Sequence, residues 1–220
     1  MLEIVRRAVK AVPEVMQYLT PQTKAAVQGY DGIRSDYWTV IYDSVEGYLT
    51  GNSPVTGFRN RSATAMSEAF TDATYEAWYQ AGAELPLTDD AAAWLSERIG
   101  AERVNIEGMF DRLKKEWAGI DPIAEANARA EGYARTLDAL YGEAKLRAMK
   151  NQMITWNLGN TEKHCDTCSK LAGKKHKISY LIQNNYIPRK PGAGMDCNGF
   201  NCDCWVTDKN GNVITIEGNE

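Results

Sequence analysis

The chain has 220 residues, of which 44% are hydrophobic and 25% are charged, and its formal net charge at pH 7 is −4. This composition is typical of a folded globular protein and not of a disordered chain. The acidic balance argues against a protein that coats DNA non-specifically, because such a protein needs a basic surface to displace counterions. No segment approaches the roughly 18 consecutive apolar residues of a membrane span. The N-terminal segment has no uninterrupted apolar core, so we expect no signal peptide and a chain that meets a reducing cytoplasm.

Four long segments in the first two thirds of the chain have the apolar periodicity of amphipathic helices. The first carries a broad apolar stripe and ends at a turn-rich loop, residues 51–57. The second runs from about residue 58 to residue 83 and repeats alanine at every fourth position, which lets another helix approach closely. The stripe comprises Ile33, Tyr37, Trp38, Ile41, Tyr42, Val45, Tyr48 and Leu49, and the alanine repeat comprises Ala65, Ala69, Ala73, Ala77 and Ala81.

The third and fourth segments begin with N-cap signals. Thr88 precedes two aspartates whose charges suit the positive end of a helix dipole. Asp121 precedes Pro122, which is tolerated in the first helical position because no N–H is needed there; this segment runs to about Lys150. A shorter amphipathic helix is predicted within residues 5–19. The buried faces of the two long helices are predicted to comprise Leu95, Ile99, Ile106, Phe110, Leu113 and Trp117, and Tyr133, Leu137, Leu140, Tyr141, Ala144 and Ala148.

The last third of the chain has a different pattern. Met153–Trp156 has strand character, and near the C-terminus residues 205–207 and 213–216 flank a loop that contains Asn210 and Gly211, a strong β-hairpin signal. Between these strands there is little apolar sequence. Small modules of this kind normally need a metal or disulfides to order them.

All five cysteines lie in this part of the chain. An odd number leaves one thiol over in any scheme of disulfides, and in a reducing compartment clustered cysteines more often hold a metal. Cys165 and Cys168 form a Cys-x-x-Cys pair, while Cys202 and Cys204, two apart on an extended chain, share one face. Four thiolates at about 2.3 Å would close a structural zinc site without an open position. We therefore predict that Cys165, Cys168, Cys202 and Cys204 bind one zinc ion.

Other arrangements of the cysteine-rich segment stay open. Cys197, His164 and His176 compete as ligands, and the cysteines could instead form disulfides or remain as free core thiols. A redox-active Cys-x-x-Cys pair is less expected, because such motifs normally open a helix in a βαβ context and none is visible.

These patterns together predict a mainly α fold. Residues 1–150 are expected to form an N-terminal helical bundle, and residues 151–220 a small C-terminal α+β module that is cysteine-rich, binds zinc and contains the β-hairpin. The helical part has no histidine, no cysteine, no glycine-rich phosphate loop and no nucleophile elbow. We therefore expect a scaffold and not an enzyme.

Residues 151–220, which we call the tail of the chain, resemble the C-terminal domain of a family of phage proteins. These are the tailed-phage head-morphogenesis proteins, which are also called minor capsid or minor head proteins. The resemblance lies in Trp156 on a strand, a Cys-x-x-Cys-x-x-Leu-x-Gly core within residues 161–173, a proline-bearing linker at residues 187–189, and an Asn-Cys-x-Cys ending at residues 201–204. The helical N-terminal region agrees with the family only in general character.

The resemblance implies a structural virion protein that associates with the portal vertex or capsid and helps head assembly or genome delivery. The implied partners are the portal protein, the major capsid protein or both, with possible contact with packaged DNA. The implied location is the phage head, after assembly in the host cytoplasm. Two residues depart from the family pattern: Cys197 is an additional cysteine, and Asp203 stands where a basic residue is common.

Two further functions stay open. A nucleic-acid-binding zinc module would use basic residues of the last third together with exposed aromatic rings. A metal-dependent hydrolase would need an open coordination position and a general base, and the sequence has only two histidines and no His-Glu-x-x-His motif. The residues that would serve nucleic-acid binding are Lys163, Lys170, Lys174, Lys175, Lys177, Arg189 and Lys190, with Tyr180, Tyr186 and Phe200 as stacking surfaces.

Overall fold

A computed structural model describes residues 21–52, 54–116, 119, 121–199 and 202–215. These residues form a mainly helical fold with a small antiparallel sheet near the C-terminus, as predicted. No helix in the described ranges is both long and apolar enough to cross a membrane. The elements follow in the order α1 (Pro21–Leu49), α2 (Val55–Gln80), α3 (Asp89–Glu116), α4 (Pro122–Ala148), β1 (Met153–Asn157), α5 (Asp166–Leu171), β2 (Lys175–Lys177), α6 (Ile178–Gln183) and β3 (Trp205–Thr207).

The four long helices α1 to α4 correspond to the four predicted segments. α1 begins well before its predicted apolar stripe and is interrupted at Gly29, whose φ of 73° and ψ of 166° separate two helical stretches. The N-cap of α3 is confirmed by a bond from the Ala91 N–H to the Thr88 hydroxyl. The predicted helix within residues 5–19 and the side chain of Trp117 lie outside the described residues.

The chain divides into two compact units. One comprises Met1–Glu76 and Pro86–Ala134, and the other comprises Ala77–Leu85 and Arg135–Glu220. The second unit therefore includes the last turn of α2 and the second half of α4 in addition to the cysteine-rich tail. The domain boundary near residue 150 stays a prediction.

The first unit has a core built from the predicted helical stripes. Its aromatic residues meet edge to face: the rings of Tyr37 and Phe70 are 6.5 Å apart, and those of Tyr48 and Phe110 are 5.8 Å apart. This geometry is the favoured one for aromatic pairs. The buried residues of this core include Ile33, Ile41, Val45, Met66, Ala69, Ala73, Ile106, Met109, Leu113, Ala126 and Ala130.

The second unit contains a three-stranded antiparallel sheet in the order β2-β1-β3. In its register Ile154 pairs with His176 and Trp156 with Val206. The segment after β3 returns to it through a bridge between Thr207 and Val213 and a hydrogen bond from the Ile214 N–H to the Val206 carbonyl at 2.9 Å. Residue 216 of the predicted second arm lies outside the described residues.

The tail has a larger apolar core than the sequence pattern predicted. Buried side chains from the sheet, from the short helices α5 and α6 and from the end of α4 pack into one cluster, which includes three cysteines. This cluster comprises Leu146, Ile154, Trp156, Cys168, Leu171, Ile178, Leu181, Ile187, Ala193, Met195, Cys202, Cys204, Val206 and Ile214.

Candidate metal centre

The five cysteines form one cluster. The sulfur atoms of Cys168, Cys202 and Cys204 lie within 4.8 Å of one another, and so do those of Cys165, Cys168 and Cys197. Cys168 belongs to both groups. All five thiols are free, so the structure contains none of the disulfides that the sequence left open. The four predicted ligands are all in the cluster, together with Cys197.

The Cys-x-x-Cys pair is positioned by the start of α5. Cys165 is the N-cap of this helix, and its Sγ accepts the backbone N–H of Cys168 at 3.4 Å. The same turn directs Cys168 into the apolar core, where it is 2% exposed. The sequence did not predict this helix, because six residues carry too little periodicity to be recognised.

Cys197 reaches the cluster through a loop that is fastened to α5. The carboxylate of the neighbouring Asp196 accepts the Thr167 N–H at 2.9 Å and the Thr167 hydroxyl at 2.7 Å. Gly199 has a φ of 75°, and a Cβ at this position would collide with the backbone carbonyl of Lys190. Only glycine can make this close approach, so the loop follows one path into the site.

Cys202 and Cys204 lie just before β3, with Asp203 between them. Asp203 forms an ion pair with Arg189 at 3.5 Å. It also lies against Gly159, where a Cβ would collide with the side chain and carbonyl of Asp203. Asp203 is therefore paired within the module.

Hydrogen bonds stabilise thiolate character in the cluster. Hydrogen bonds from the thiols of Cys168 and Cys202 and from the Gly159 N–H together outweigh burial and lower the pKa of Cys204 to about 3. The buried indole of Trp156 also lowers the Cys204 pKa. Such donors favour the deprotonated sulfur, which is the form that binds metals.

The pKa values of three other thiols are shifted in different directions. Burial raises the pKa of Cys165, but hydrogen bonds from Cys168 and Cys197 outweigh it, so this pKa is lowered overall. The pKa of Cys168 is raised, because its single thiol proton is held among the neighbouring sulfurs of Cys202 and Cys204 and because the thiol is buried. Burial raises the pKa of Cys197 to about 12. A bound cation would take the place of the protons that these sulfurs share.

Neither histidine joins the cluster. His164 Nδ1 lies 3.1 Å from the hydroxyl of Thr161. His176 Nε2 lies 3.1 Å from the Leu171 carbonyl oxygen, and its ring stacks on Tyr180. Within the part of the chain that the structure describes, the two groups of potential metal ligands contain only cysteines.

Ion pairs of the buried Glu143 hold the loop that precedes Cys197. Glu143 on α4 has a side chain only 2% exposed and lies 2.9 Å from both Arg147 and Lys190. Burial raises the pKa of this carboxyl, but the charges of Lys190 and Arg147 outweigh it, so the pKa is lowered. Lys190 is one of the basic residues that the sequence suggests for nucleic-acid binding, and no local sequence pattern predicts its ion pair with Glu143.

The donor set fits a soft metal ion. Thiolates prefer zinc and other soft cations, and the absence of carboxylate and imidazole from both groups of described ligands disfavours hard ions such as magnesium and calcium. The surrounding N–H donors orient the sulfurs as outer-shell groups do in metal sites. The cluster can therefore hold a metal ion.

Comparison with known proteins does not assign this site. No protein-family model, no curated protein and no solved structure matches the chain. Its interpretation depends on the geometry of the cluster and on the motif resemblance of the tail.

Proposed function

We propose that this chain is a structural phage minor head protein whose C-terminal module is held in shape by one zinc ion. The observation that carries the proposal is the convergence of five thiols from two distant segments, residues 165–168 and residues 197–204, in one cluster. A tetrahedral zinc takes four of these sulfurs, and we assign it to Cys165, Cys168, Cys202 and Cys204.

A closed set of four thiolates gives zinc a structural role. It leaves no coordination position for water, which a catalytic zinc requires. Neither histidine is close enough to the sulfurs to join a ligand group among the described residues. We therefore propose a protein without catalytic activity, whose metal adds to the stability of an existing apolar core.

The packing of the motif residues supports the virion role. Trp156, Leu171 and the three buried cysteines lie in one core, so the separate parts of the motif form a single structural unit. A unit of this kind suits a protein that presents a fixed surface to a neighbour. The proposed partners are the portal protein, the major capsid protein or both, in a phage head assembled in the host cytoplasm.

A nucleic-acid-binding module is the second candidate. The observation that favours it is the ring of Tyr180, which is 43% exposed and lies 5.9 Å from the rings of both His176 and Tyr186. Two of the basic residues suggested for nucleic-acid binding, however, form ion pairs with acidic side chains: Lys190 with Glu143 and Arg189 with Asp203. A steep fall of DNA affinity with salt would favour this candidate.

Metal analysis tests the zinc proposal. Native mass spectrometry of the reduced full-length chain is expected to show one zinc per chain. Cys168→Ser should abolish stoichiometric zinc binding, because this sulfur belongs to both groups in the cluster. The neighbouring exposed residue provides a matched control, since Ser169→Ala should keep the zinc. A wild-type chain without metal, or with its cysteines paired as disulfides, would contradict the proposal.

Co-expression tests the virion proposal. The chain should co-purify with the cognate portal protein or enter proheads, and its Cys168→Ser variant should do so less well if the ordered module forms the contact. A zinc-loaded chain that neither binds the portal protein nor enters proheads would contradict the virion role while leaving the metal site intact.

A further inference from the structure

The five sulfurs differ in their access to solvent. Cys168, Cys202 and Cys204 are buried, with exposed fractions of 2%, 7% and 2%. Cys165 and Cys197 are only partly buried. Their sulfur atoms lie within 4.8 Å of each other, so the accessible edge of the cluster consists of two neighbouring thiols.

The fifth thiol has no place in a tetrahedral site. If zinc takes Cys165, Cys168, Cys202 and Cys204, Cys197 remains beside a ligand without binding the metal itself. Cys165 is held by the N–H of Cys168, and the loop of Cys197 is held by the two bonds between Thr167 and Asp196. The two sulfurs therefore keep their proximity whether or not both bind metal.

We propose that Cys165 and Cys197 form a redox switch on the zinc site, in which a hydroperoxide oxidises them to a disulfide and zinc is released. This inference rests on the proposed zinc site. It assigns Cys165 as the attacking thiolate, Cys197 as the resolving thiol and the three buried cysteines as the ligands that remain.

The chemistry needs one peroxide and two thiols. The Cys165 thiolate attacks the O–O bond to give a sulfenic acid, and hydroxide leaves. The Cys197 thiol then attacks the sulfenic sulfur, its proton passes to the departing hydroxyl group, the S–S bond forms and water leaves. One proton from solvent converts the first hydroxide to water, and the two electrons lost by the sulfurs reduce the peroxide. Since a disulfide sulfur is a poor ligand, only Cys168, Cys202 and Cys204 remain as thiolate ligands. They cannot close a tetrahedral site by themselves, so the site loses affinity and zinc is released.

Oxidation of the zinc-loaded full-length chain tests the switch. Hydrogen peroxide is added under anaerobic conditions, released zinc is measured with a chromogenic chelator, and remaining thiols are counted after denaturation. We expect two thiols to be lost for each zinc released, and reduction with added zinc to restore the site.

The disulfide can be located by peptide mapping. Cleavage on the amino side of aspartate cuts before Asp166, Asp196 and Asp203, which places Cys165 on a different peptide from Cys168, and Cys202 on a different peptide from Cys204. The expected product joins the peptide that ends at Cys165 to the peptide of residues 196–202. Fragmentation of this product then distinguishes Cys197 from Cys202.

A variant provides the matched comparison. Cys197→Ser should bind one zinc and release it to peroxide about tenfold more slowly, because the sulfenic acid loses its resolving thiol. Should that variant fail to bind zinc, the wild-type disulfide map still decides the matter. A disulfide that involves any buried cysteine, or zinc that stays bound after the pair has formed, would overturn the switch. A wild-type chain that holds no zinc before oxidation would instead refute the proposed function and remove the basis of the switch.

Discussion

Asp196 is an exposed residue that fastens two cysteine-bearing segments to each other. Its carboxylate accepts both the N–H and the hydroxyl of Thr167, next to Cys168, and the following residue is Cys197. The charge-assisted hydrogen bonds from Thr167 also lower the pKa of Asp196. This side chain therefore sets the relative position of the sulfurs without contacting a metal itself.

Replacement of Asp196 should weaken zinc binding without unfolding the chain. We expect Asp196→Ala to lower zinc affinity by about tenfold, since the loss of an outer-shell partner typically has an effect of this size. Competition with a chelator of known affinity measures the change. Asp208→Ala is the matched control, because Asp208 accepts similar bonds from Asn210 and Asn212 in the hairpin loop. Equal losses in both variants would contradict a specific role for Asp196.

A second prediction at the scale of single residues concerns the contribution of Glu143 to stability. Glu143→Gln removes the buried carboxylate that pairs with the partly buried cations Arg147 and Lys190, which should lower the free energy of unfolding by about 3 kcal/mol. Urea denaturation at pH 7 measures this. Glu107→Gln is the control, since Glu107 lies 3.9 Å from Arg103 in an exposed pair of the same i, i+4 type, and such pairs contribute little.

Acid should remove the difference between wild type and Glu143→Gln. The pKa of Glu143 is lowered in the folded chain. Its contribution to stability is therefore fully present above the pKa of an unfolded glutamate, about 4.3, and is lost as the pH falls through the folded pKa. Denaturation curves of both proteins between pH 7 and pH 3 measure the difference. A gap that stays constant over this range would show that the ion pairs are not its cause.

At the scale of elements, α4 has the clearest start signal. Its first turn is capped by Asp121, whose Oδ1 accepts the N–H groups of Ile123 at 3.0 Å and Ala124 at 3.4 Å. Asp121→Ala should lower the free energy of unfolding by about 1 kcal/mol, as is typical for the loss of a cap. Asp121→Asn keeps an acceptor and should lower it much less. Thermal or urea denaturation distinguishes the two variants, and equal effects would argue against the cap.

The long helices could be predicted because periodicity accumulates over many turns, and because Thr88 and Asp121 mark helix starts by chemistry that depends on adjacent residues alone. α5, α6 and β2 were missed. Each has six residues or fewer, and β2 is the wholly polar sequence Lys-His-Lys, which carries no strand pattern. Their formation depends on contacts with distant segments, and a local pattern does not contain that information.

The metal centre was only partly predictable, because only part of it depends on local sequence. Cys-x-x-Cys and Cys-x-Cys are short motifs whose spacing places two sulfurs together, and the sequence identified both. The approach of Cys197 depends on Asp196, which bonds to Thr167 on α5, and on Gly199, which lies against the backbone of Lys190. Neither contact is part of a short motif. The ion pair of Lys190 with Glu143 joins residues even more distant, and no local pattern predicts it.

At the scale of the whole molecule, removal of the metal should loosen the tail selectively. We expect a strong chelator to increase hydrogen exchange in residues 165–171 and 195–207, which carry or adjoin the five sulfurs. The core of the tail is apolar enough for β1 and the end of α4 to keep part of their protection. Mass-spectrometric hydrogen exchange with and without chelator measures this.

The helices of the first unit provide the internal control for this experiment. Their cores contain no cysteine, so exchange in residues 33–49 and 106–113 should not change. Faster exchange throughout the chain would indicate global unfolding, and unchanged exchange near the sulfurs would indicate that no metal orders them.

Three glycines in the tail have a consequence for recognising distant relatives. At Gly159, Gly194 and Gly199 another segment of backbone passes so near that even one methyl group would not fit. Saturation mutagenesis should therefore find these positions as intolerant as the cysteines, although none of them carries a reactive group. A sequence pattern that combines the cysteine spacing with these three glycines would identify proteins that share the architecture after their helices have diverged beyond detection.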